Sequence, residues 1–510
     1  MAPLSLALWA PFAAFLVLLA LPASQHRAIR AWANVAMLLG CAAVVPLVLN
    51  FDRSAAGFQF VESAAWMESL GVRYLIGIDG ISLLLVALTA VTGLVATLSS
   101  WNAVTDRVKQ YYAMLLLLQT GMLGVFVALD FILFFVFWEL VLVPMYFLIV
   151  VWGGPRRLYA GIKFFLYTLA GSVLMLLGIL TLYFQHWMQN GVYTFDIQAL
   201  LRTPMPLWME QWVFWALFIA FAIKVPMFPF HTWLPDAHTE APTAGSVILA
   251  AVLLKMGTYG FLRFSLPLLP RASNDRLIVQ VLVALSLTAI LYGAMVCLAQ
   301  RDWKRLVAYS SVSHLGFCTL GIFSLNPNGI AGSVIQQVNH GISTGMLFLI
   351  VGAAYERRHT REIAEYGGLA HRMPRFAAVF AFAMLSSAGL PLLNGFIGEF
   401  TILQGAFEAN KAWAALAVPG VVLGAGYLLW LYQRTMLGVI ANEKNAHLPD
   451  LSARELLVFA PFVLWALSIG LYPKPYFDAV RGPVARIVER VRPDYFADKP
   501  APPALAEVRR

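Results

Sequence analysis

The chain has 510 residues, of which 60% are hydrophobic and only 12% are charged, and its formal net charge is +9. Soluble proteins carry about 25% charged residues, so this composition excludes an ordinary soluble domain and indicates a multi-span membrane protein. The positive charge does not indicate nucleic-acid binding, because Lys and Arg lie in short loops between apolar runs. Cys41, Cys297 and Cys318 are far apart and lack CxxC spacing. We therefore expect no metal site and no cofactor in this chain.

The apolar runs predict the fold class. A helix that crosses the ~30 Å hydrocarbon core needs about 20 apolar residues. On that rule the sequence predicts an all-α polytopic membrane protein with about fourteen transmembrane helices, called spans 1 to 14 below. Their ranges are roughly 4–22, 29–50, 79–101, 112–129, 131–152, 161–184, 210–232, 243–265, 277–299, 305–325, 330–354, 375–404, 412–438 and 453–473. No basic region precedes span 1, which predicts a retained helix and not a cleaved signal peptide.

Lys and Arg divide unequally between the two faces of the membrane that these spans define. The loops after odd-numbered spans lie on one face of the membrane, called here the odd-loop face, and contain eighteen Lys and Arg residues. The loops after even-numbered spans lie on the other face, called the even-loop face, and contain seven. The positive-inside rule therefore predicts a cytoplasmic odd-loop face, with both termini on the periplasmic side. After span 14, apolar residues at helical spacing predict an amphipathic helix on the outer membrane surface. These residues are Val480, Val484, Ile487, Val488 and Val491.

Four ionisable residues lie well inside predicted spans, namely Glu139, Lys224, Lys255 and Glu399. A charged side chain at the centre of a span costs about 2.5–3.5 kcal/mol, so the four together cost about 10 kcal/mol unless they pair. One interpretation is that they form structural ion pairs that only specify helix packing. The other is that they form an ion or proton path, which is the usual role of ionisable groups inside a membrane.

Histidines add to this set at two places. His314 and His340 lie beside small polar residues on consecutive spans, either as satisfied core residues, as members of the same path or as haem ligands. No other haem signal accompanies them. The second place is near the odd-loop end of span 7 and comprises His231, Asp236, His238 and Glu240. This group has metal-ligating side chains, but its position among prolines at a helix end favours a solvated turn or a cytoplasmic proton entrance.

Proline interrupts two spans close to the buried charges. Pro226 and Pro229 follow Lys224 in span 7, and Pro391 lies in "GLPLLNGFIG", just before Glu399 in span 12. Proline removes a backbone donor, and non-helical backbone at membrane depth occurs only inside protein or beside a watery cavity. Because the breaks are five spans apart, spans 4–8 and 9–13 are predicted to form two inverted repeats around a transport site. The predicted domains are 1–111 (spans 1–3), 112–265 (repeat one), 277–438 (repeat two) and 453–510 (span 14 and tail).

Four motifs resemble one family of membrane proteins. They are "FWELVLVPMY" in span 5, "IKVPMFPFHTWLPDAHTEAPT" in span 7, "LLKMGTYG" in span 8 and "AYSSVSHLGF" in span 10. On these motifs, and over nearly its whole length, the chain resembles the antiporter-like membrane subunits of respiratory complex I. Those subunits are in turn similar to Mrp-type cation/proton antiporter subunits.

The resemblance implies that the buried ionisable residues translocate protons. By the family pattern, Glu139 and Lys224 match an interacting pair, Lys255 a central relay lysine, His314 and His340 connecting histidines, and Glu399 the terminal residue of span 12. The other antiporter-like complex I subunits and the large Mrp subunits usually have lysine at this last position. Glutamate there favours one particular complex I subunit, and so does a chain that stops after fourteen spans without a lateral helix.

The resemblance also implies partners and a location. The expected partners are other complex I subunits, especially the homologous antiporter-like chains L and N on either side, together with membrane lipids. FMN, iron–sulfur clusters and quinone are expected in partner subunits, since no residue here has the character of a redox ligand. The expected location is the bacterial inner membrane. A Na⁺/H⁺ antiporter subunit, a membrane-bound hydrogenase subunit of the same fold, and a purely structural scaffold are the alternatives.

A mechanism follows from the energy of a buried charge pair. A carboxylate at about 6 Å from a lysine, at an effective dielectric constant of about 20, contributes about 2.8 kcal/mol. That energy is similar to the ~2.3 kcal/mol that a membrane potential of about 100 mV gives one charge. Movement of Glu139 relative to Lys224 is therefore expected to load or release a proton. Lys255 and the histidines would carry it sideways to Glu399.

Overall fold

The structure is a computed structural model that describes residues 2–55, 57–440 and 442–497, and the last part of the predicted tail domain, 498–510, lies outside the described residues. Most of the described chain is helical. The α-helices are α1 (Pro3–Ala20), α2 (His26–Leu49), α3 (Gly80–Ser99), α4 (Val108–Val127), α5 (Phe131–Leu140), α6 (Leu142–Trp152), α7 (Arg157–Asn190), α8 (Ile197–Leu200), α9 (Leu207–Lys224), α10 (Trp233–Glu240), α11 (Thr243–Ile248), α12 (Leu254–Gly260), α13 (Leu266–Leu268), α14 (Pro270–Ser273), α15 (Arg276–Leu298), α16 (Trp303–Phe323), α17 (Pro327–Arg358), α18 (Pro374–Ser387), α19 (Asn394–Ala409), α20 (Lys411–Met436), α21 (Ala453–Leu471) and α22 (Lys474–Val491).

These helices confirm the predicted multi-span fold. Among the described residues, thirteen helical stretches are long and apolar enough to cross a membrane. Of the fourteen predicted spans, only span 12 is outside this set, because it is divided into two shorter helices, α18 and α19. Span 7 is likewise divided into α9 and α10. The break in span 7 begins after Lys224, and the helix beyond it extends to Glu240, well past the predicted end at 232. The inverted relation of the two repeats remains a prediction.

A two-stranded hairpin in the loop between spans 2 and 3 was not predicted. Its strands are β1 (Gln59–Met67) and β2 (Val72–Ile78), which pair antiparallel. Both contain the β-branched and aromatic residues that favour strands, but the search for apolar runs of helical length passed over them. Gly71 closes the hairpin with φ +68° and approaches the backbone of Tyr193 so closely that a side chain would collide.

Aspartates begin four of the membrane helices. Asp79, Asp130, Asp275 and Asp302 precede α3, α5, α15 and α16, and each carboxylate accepts a hydrogen bond from a backbone N–H of the first turn. Such caps satisfy donors that have no partner within the helix. They fix where each span begins and therefore how deep its later residues lie.

The most buried spans form the centre of the molecule. The apolar 18-residue window of span 8 (α11 to α13) is entirely buried, and 94% and 89% of the corresponding windows of α16 and α17 are buried, whereas only 33% is buried in those of α1 and α21. π-helical turns at Leu249–Leu253 and Phe261–Ser265 interrupt span 8 on either side of α12. Turns of this kind are frequent at functional sites. Spans 8, 10 and 11 carry Lys255 and both of the relay histidines.

The predicted helix after span 14 exists as α22, but its expected position is wrong. Its five apolar residues all lie buried, with Val480 at 0% exposure and Ile487 at 6%. They pack against protein, since α22 contacts α3, α13 and α17. The apolar face therefore covers the ends of the central helices on the even-loop face and does not lie on a lipid surface.

Candidate functional site

Lys224 is the last residue of α9, at the point where span 7 stops being helical. Its ammonium lies 5.1 Å from the centre of the Trp138 ring and 6.0 Å from that of Phe164. The residue is 2% exposed. Aromatic faces of this kind stabilise a desolvated cation by about 2 kcal/mol. No ion pair within 4.0 Å includes Lys224 in the described part of the chain.

Glu139, the predicted partner of Lys224, acts on it over a longer distance. Its carboxylate attracts the Lys224 ammonium electrostatically, but its Oε1 is buried without a hydrogen-bond partner. Span 5 is interrupted at Val141, directly after the turn that carries Glu139. Pro144 accounts for this interruption, because it lacks the N–H that would bond to the carbonyl of Leu140. Sequence reasoning treated span 5 as continuous and missed this break.

The break in span 7 leaves carbonyl groups that other donors satisfy. The indole N–H of Trp233 donates to the carbonyl of Ile223 at 2.9 Å, and the N–H of Met227 donates to the carbonyl of Ala222 at 2.7 Å. Pro226 and Pro229 both lie in this non-helical segment, as predicted. Trp233 therefore ties the second half of the span back to the turn that ends at Lys224.

Lys255 lies on α12 between the two π-helical turns and is fully buried. Its ammonium donates to the carbonyl of Ala250, and its Nζ lies 2.6 Å from Nδ1 of His340. The preceding π-helical turn directs the carbonyl of Ala250 towards a side chain five residues later. Lys255 is therefore bound to the next ionisable group of the predicted path.

His314 and Glu399 form a second direct contact. Nδ1 of His314 lies 2.8 Å from Oε1 of Glu399, and both residues are buried. The rings of His314 and His340 are 6.0 Å apart between centres. The four residues thus form one continuous run in the order Lys255, His340, His314, Glu399. The predicted grouping of these residues is found in the structure, although their proton-carrying role is a separate question.

Polar residues that sequence reasoning missed surround His314 and Glu399. The amide of Gln336 donates to Oε1 of Glu399 at 3.1 Å. The hydroxyls of Tyr427 and Ser387 lie 3.2 and 3.4 Å from Nε2 of His314. Gln336 precedes His340 by one helical turn in "QQVNH", so its position on the same face of α17 was available from the sequence. Tyr427 and Ser387 come from distant spans and gave no such signal.

The break in span 12 places Glu399 near non-helical backbone. It covers residues 388–393 and includes Pro391, as predicted, but the helix resumes at Asn394, earlier than the predicted end at 398. Gly389 has φ +78°, and a side chain there would lie 3.3 Å from Oε2 of Glu399. Asn394 is held by Asn339, whose amide donates to its carbonyl at 2.7 Å. The carboxylate therefore lies against the broken segment and close to a fixed helix start.

The four residues of the predicted entrance do not form a solvated turn. All except His231 lie on α10, and His231 and His238 are 3% and 0% exposed. The prediction of a solvated turn is wrong because the chain resumes a helix after the prolines and packs against α7 and α16. Asp236 pairs with Lys163 at 2.8 Å, and Glu240 accepts from the backbone N–H of Arg156 at 2.9 Å.

His238 differs from the other three. Its ring stacks on Phe348 at 4.3 Å, and neither ring nitrogen has a hydrogen-bond partner. The charges of Lys304 and Lys255 act on it electrostatically. His238 is therefore a buried imidazole whose two ring nitrogens are both unused among the described residues.

A cavity of about 330 Å³, lined by both apolar and charged residues, lies next to this group. Residues from the loops after spans 3, 5, 7, 9 and 11 line it, so it belongs to the odd-loop face. Its charged lining residues are Asp106, Glu240, Lys304, Glu356 and Arg361. At about 30 Å³ per molecule this volume corresponds to about ten waters. Lys304 lines the cavity and donates to the carbonyl of Ala241 at 2.5 Å.

The same histidines and acids were considered as metal ligands. No group of three or more His, Cys, Asp or Glu side chains is arranged to hold a metal ion within the ranges that the structure describes. His231 instead stacks on Phe228, with ring centres 5.7 Å apart, and meets the Tyr292 ring edge to face at 5.2 Å. The expectation that this chain binds no cofactor stays a prediction.

Comparison with known proteins identifies the class to which this fold and site belong. The family described as "NADH:quinone oxidoreductase/Mrp antiporter, TM" matches residues 128–424. NADH-quinone oxidoreductase subunit M of Rickettsia bellii is 46% identical over 84% of this chain and 85% of its own length. The chain therefore belongs to the NADH:quinone oxidoreductase/Mrp antiporter family of membrane subunits.

Further relatives narrow this class. NADH-ubiquinone oxidoreductase chain 4 of Arabidopsis thaliana is 43% identical over 94% of this chain and 95% of its own length. Among solved structures, a chain of respiratory complex I from Thermus thermophilus matches with a TM-score of 0.87 and 32% identity. The match covers 96% of this chain and all of that one. The names of the relatives, subunit M and chain 4, confirm the predicted resemblance to one particular antiporter-like subunit of complex I.

Proposed function

We propose that this chain is the proton-translocating membrane subunit of an NADH–quinone oxidoreductase. The observation that carries the proposal is the buried run of Lys255, His340, His314 and Glu399, with contacts of 2.6 and 2.8 Å at its two ends. A structural ion pair needs two partners, whereas this run continues over four helices, α12, α17, α16 and α19, with groups that can each gain and lose a proton. The run supports proton transfer more than helix packing.

Protons are proposed to move along the run by single transfers between neighbours. The Lys255 ammonium gives a proton to Nδ1 of His340, and Nε2 of His340, which is buried without a partner, releases one. The 6.0 Å between the ring centres of His340 and His314 is a gap that one water or a ring rotation closes. His314 then passes a proton to Glu399, which delivers it towards the even-loop face.

Lys224 and Glu139 are proposed to control this run by charge and not by direct contact. Because no carboxylate holds Lys224 within 4.0 Å in the described residues, its charge state depends on the position of Glu139. A pair at about 6 Å contributes about 2.8 kcal/mol at an effective dielectric constant of about 20. Quinone reduction in partner subunits is proposed to change this distance, and the broken helices at both residues allow the movement.

The odd-loop cavity is the proposed proton entrance. Lys304 and Glu240 line the cavity, and His238, which the charges of Lys304 and Lys255 both influence, is the proposed link from the cavity towards Lys255. His231 and Asp236 position α10 through their own contacts. With the odd-loop face cytoplasmic, protons enter from the cytoplasm, and both termini face the periplasm of a bacterial inner membrane.

The proposed assembly follows from the family. Chains L and N, the homologous antiporter-like subunits, are the proposed neighbours. FMN, iron–sulfur clusters and quinone belong to other subunits. The enzyme activity, NADH–quinone oxidoreduction coupled to proton transport, is thus proposed for the complex, to which this chain contributes no redox centre.

Replacing His340 by leucine tests the buried run of ionisable residues on which the proposal rests. His340→Leu interrupts the run and leaves Lys255 without its side-chain partner, so proton pumping should fall at least about tenfold, a lower bound set below the ~100-fold or more that a proton-transfer group typically contributes. Proton uptake by vesicles that contain the complex, driven by NADH and quinone, measures the effect. His371→Leu, in the loop after span 11, is the matched control. Normal pumping by assembled His340→Leu complex would refute the proposed path.

A further inference from the structure

A second cavity, of about 230 Å³, lies on the even-loop face and has no part in the proposed proton path. It is enclosed by the residue before the hairpin, by α8, by the end of span 8 and by α22. Its charged lining residues are three arginines, Arg263, Arg486 and Arg490, and one acid, Asp79. The lining therefore carries an excess of two positive charges in a space enclosed mainly by apolar side chains.

Asp79 is fully engaged by one of these arginines. The guanidinium of Arg263 donates to both carboxylate oxygens of Asp79, at 2.8 and 2.7 Å. Burial acts to raise the pKa of Asp79, but the charge and hydrogen bonds of Arg263 outweigh it and leave the pKa below its ordinary value. The bidentate pair stays ionised, so Asp79 has little capacity to neutralise another cation.

Arg486 on α22 is the arginine that lacks a strong partner. Among the residues that the structure describes, its Nε is buried without a hydrogen-bond partner. Burial lowers its pKa, Asp79 raises it and Arg263 lowers it, with a net shift downwards. The ring of Phe58 lies 5.8 Å from the Arg486 guanidinium and 4.8 Å from that of Arg263. The two cations are thus held near one aromatic face, an arrangement that a bound anion would stabilise.

Arg490 is the third arginine that lines the same cavity. Its guanidinium donates to the carbonyl of Leu201 and, at 3.2 Å, to that of Pro267. These contacts fix α22 to the loops that follow spans 6 and 8. Arg490 therefore keeps the cavity closed on one side and adds its charge to the opening.

We propose that this cavity binds a phosphate group, supplied by the headgroup of an anionic phospholipid. Arginine matches phosphate because its planar donors bind two oxygens at once. At about 30 Å³ per water the cavity has room for seven or eight waters, enough for a phosphodiester and adjoining carbons. Ile197, Leu262 and Ile487 form apolar walls that favour a lipid over free phosphate. The cavity also lies where span 3 begins, at Asp79, and where span 8 ends, at Arg263 and Pro267.

The test compares two arginines of α22 in the assembled complex. Arg486→Gln removes one charge from the cavity lining. Arg481→Gln is the matched control, because Arg481 is exposed, pairs with Asp478 and does not line the cavity. Each complex is washed free of loosely bound lipid and incubated with phosphatidylglycerol, phosphatidylcholine or inorganic phosphate. Native mass spectrometry counts the retained lipids, and a native gel checks assembly.

Wild type and Arg481→Gln should retain one more phosphatidylglycerol per complex than Arg486→Gln, whose affinity for it should be about fivefold lower or worse. Phosphatidylcholine should show no such difference. Equal retention of phosphatidylglycerol by wild type and Arg486→Gln would refute the proposed binding site. An equal loss of lipid in Arg481→Gln would show that general surface charge, and not this cavity, retains the lipid. If inorganic phosphate alone raises the melting temperature of wild type but not of Arg486→Gln, and no lipid is retained, the lipid source is wrong.

Discussion

The two broken spans hold their charged residues in opposite ways. Lys224, at the break in span 7, lies between the Trp138 and Phe164 rings without an ion pair within 4.0 Å among the described residues. Glu399, beside the break in span 12, has contacts of 2.8 and 3.1 Å with His314 and Gln336. One charge is surrounded by aromatic faces, whereas the other is held by directed hydrogen bonds.

This difference indicates different tasks for the two ends. Aromatic faces attract a cation from many directions, so Lys224 keeps freedom to respond to a distant charge such as Glu139. Hydrogen bonds fix both distance and direction, so the Glu399 carboxylate is held beside His314 in one geometry. In the proposed proton path the end at span 7 would sense a charge and the end at span 12 would deliver protons, and the predictions below test the two sides of this contrast.

The largest loss of proton pumping is expected at Lys255, which lies between the end at span 7 and the end at span 12. Lys255→Met should abolish proton pumping, with a loss of at least about tenfold, because methionine fills a similar space but carries no proton. The complex should still assemble, since replacing buried charges by apolar residues of similar volume is often neutral or stabilising. Proton uptake by vesicles and a native gel measure the two effects, with exposed Lys444→Met as the control. Failed assembly would support a structural role.

Loss of the carboxylate at the delivery end should be nearly as severe. Glu399→Gln keeps the volume and one hydrogen bond but cannot accept a proton, so pumping should fall by about tenfold. Glu399→Asp keeps the acid at a slightly longer distance and should retain partial activity. Coupled proton uptake and quinone reduction are measured on each variant after assembly is checked. Equal rates for Glu399→Gln and wild type would mean that Glu399 is a packing residue.

The sequence predicted the membrane fold and the breaks because both depend on local patterns. Apolar runs of about 20 residues marked the spans, and prolines near Lys224 and Glu399 marked the interruptions. The hairpin was missed because a short pair of strands carries a weaker signal than a membrane helix. The second half of span 7 was missed because the two prolines and two histidines in "FPFHTWLPDAH" gave α10 the sequence character of a turn.

The sequence predicted which residues form the site better than it predicted how their atoms are arranged. The sequence selected Lys255, His340, His314 and Glu399, but no spacing shows which nitrogen meets which oxygen. The separation of Glu139 from Lys224 was also hidden, since it depends on how spans 5 and 7 pack. Tyr427 joins the site from a span more than a hundred residues away, and contacts of this kind follow from tertiary structure alone.

The sensing end should respond to the chemistry of the cation and not only to its charge. Lys224→Arg keeps a positive charge, but guanidinium does not release its proton, so pumping should fall about tenfold in spite of normal assembly. A structural anchor would accept arginine and lose function only in Lys224→Ala. Steady-state proton pumping of both variants in vesicles decides between these roles. Near-normal turnover of Lys224→Arg would refute the sensing role.

The smallest loss of proton pumping is expected for a change at Tyr427, whose hydroxyl is expected to orient the ring of His314 beside Glu399. The hydroxyl of Tyr427 lies 3.2 Å from Nε2 of His314. If it donates there, the proton of neutral His314 is held on Nδ1, facing Glu399. Tyr427→Phe removes this preference and should lower pumping by about threefold, in line with the ~0.5–1.5 kcal/mol of one hydrogen bond. The pH at which pumping is half-maximal should shift as well, which a packing defect alone would not cause.

Tyr432→Phe is the matched control for this prediction, because Tyr432 lies on the same helix, α20, and its hydroxyl donates to the carbonyl of Ala377 at 3.3 Å, away from His314. Both variants lose one tyrosine hydroxyl, so any general effect on α20 should appear in both. The pH profile of proton uptake, measured on assembled complexes, separates them. An unshifted profile in Tyr427→Phe, or the same shift in Tyr432→Phe, would show that His314 does not depend on Tyr427 for its orientation.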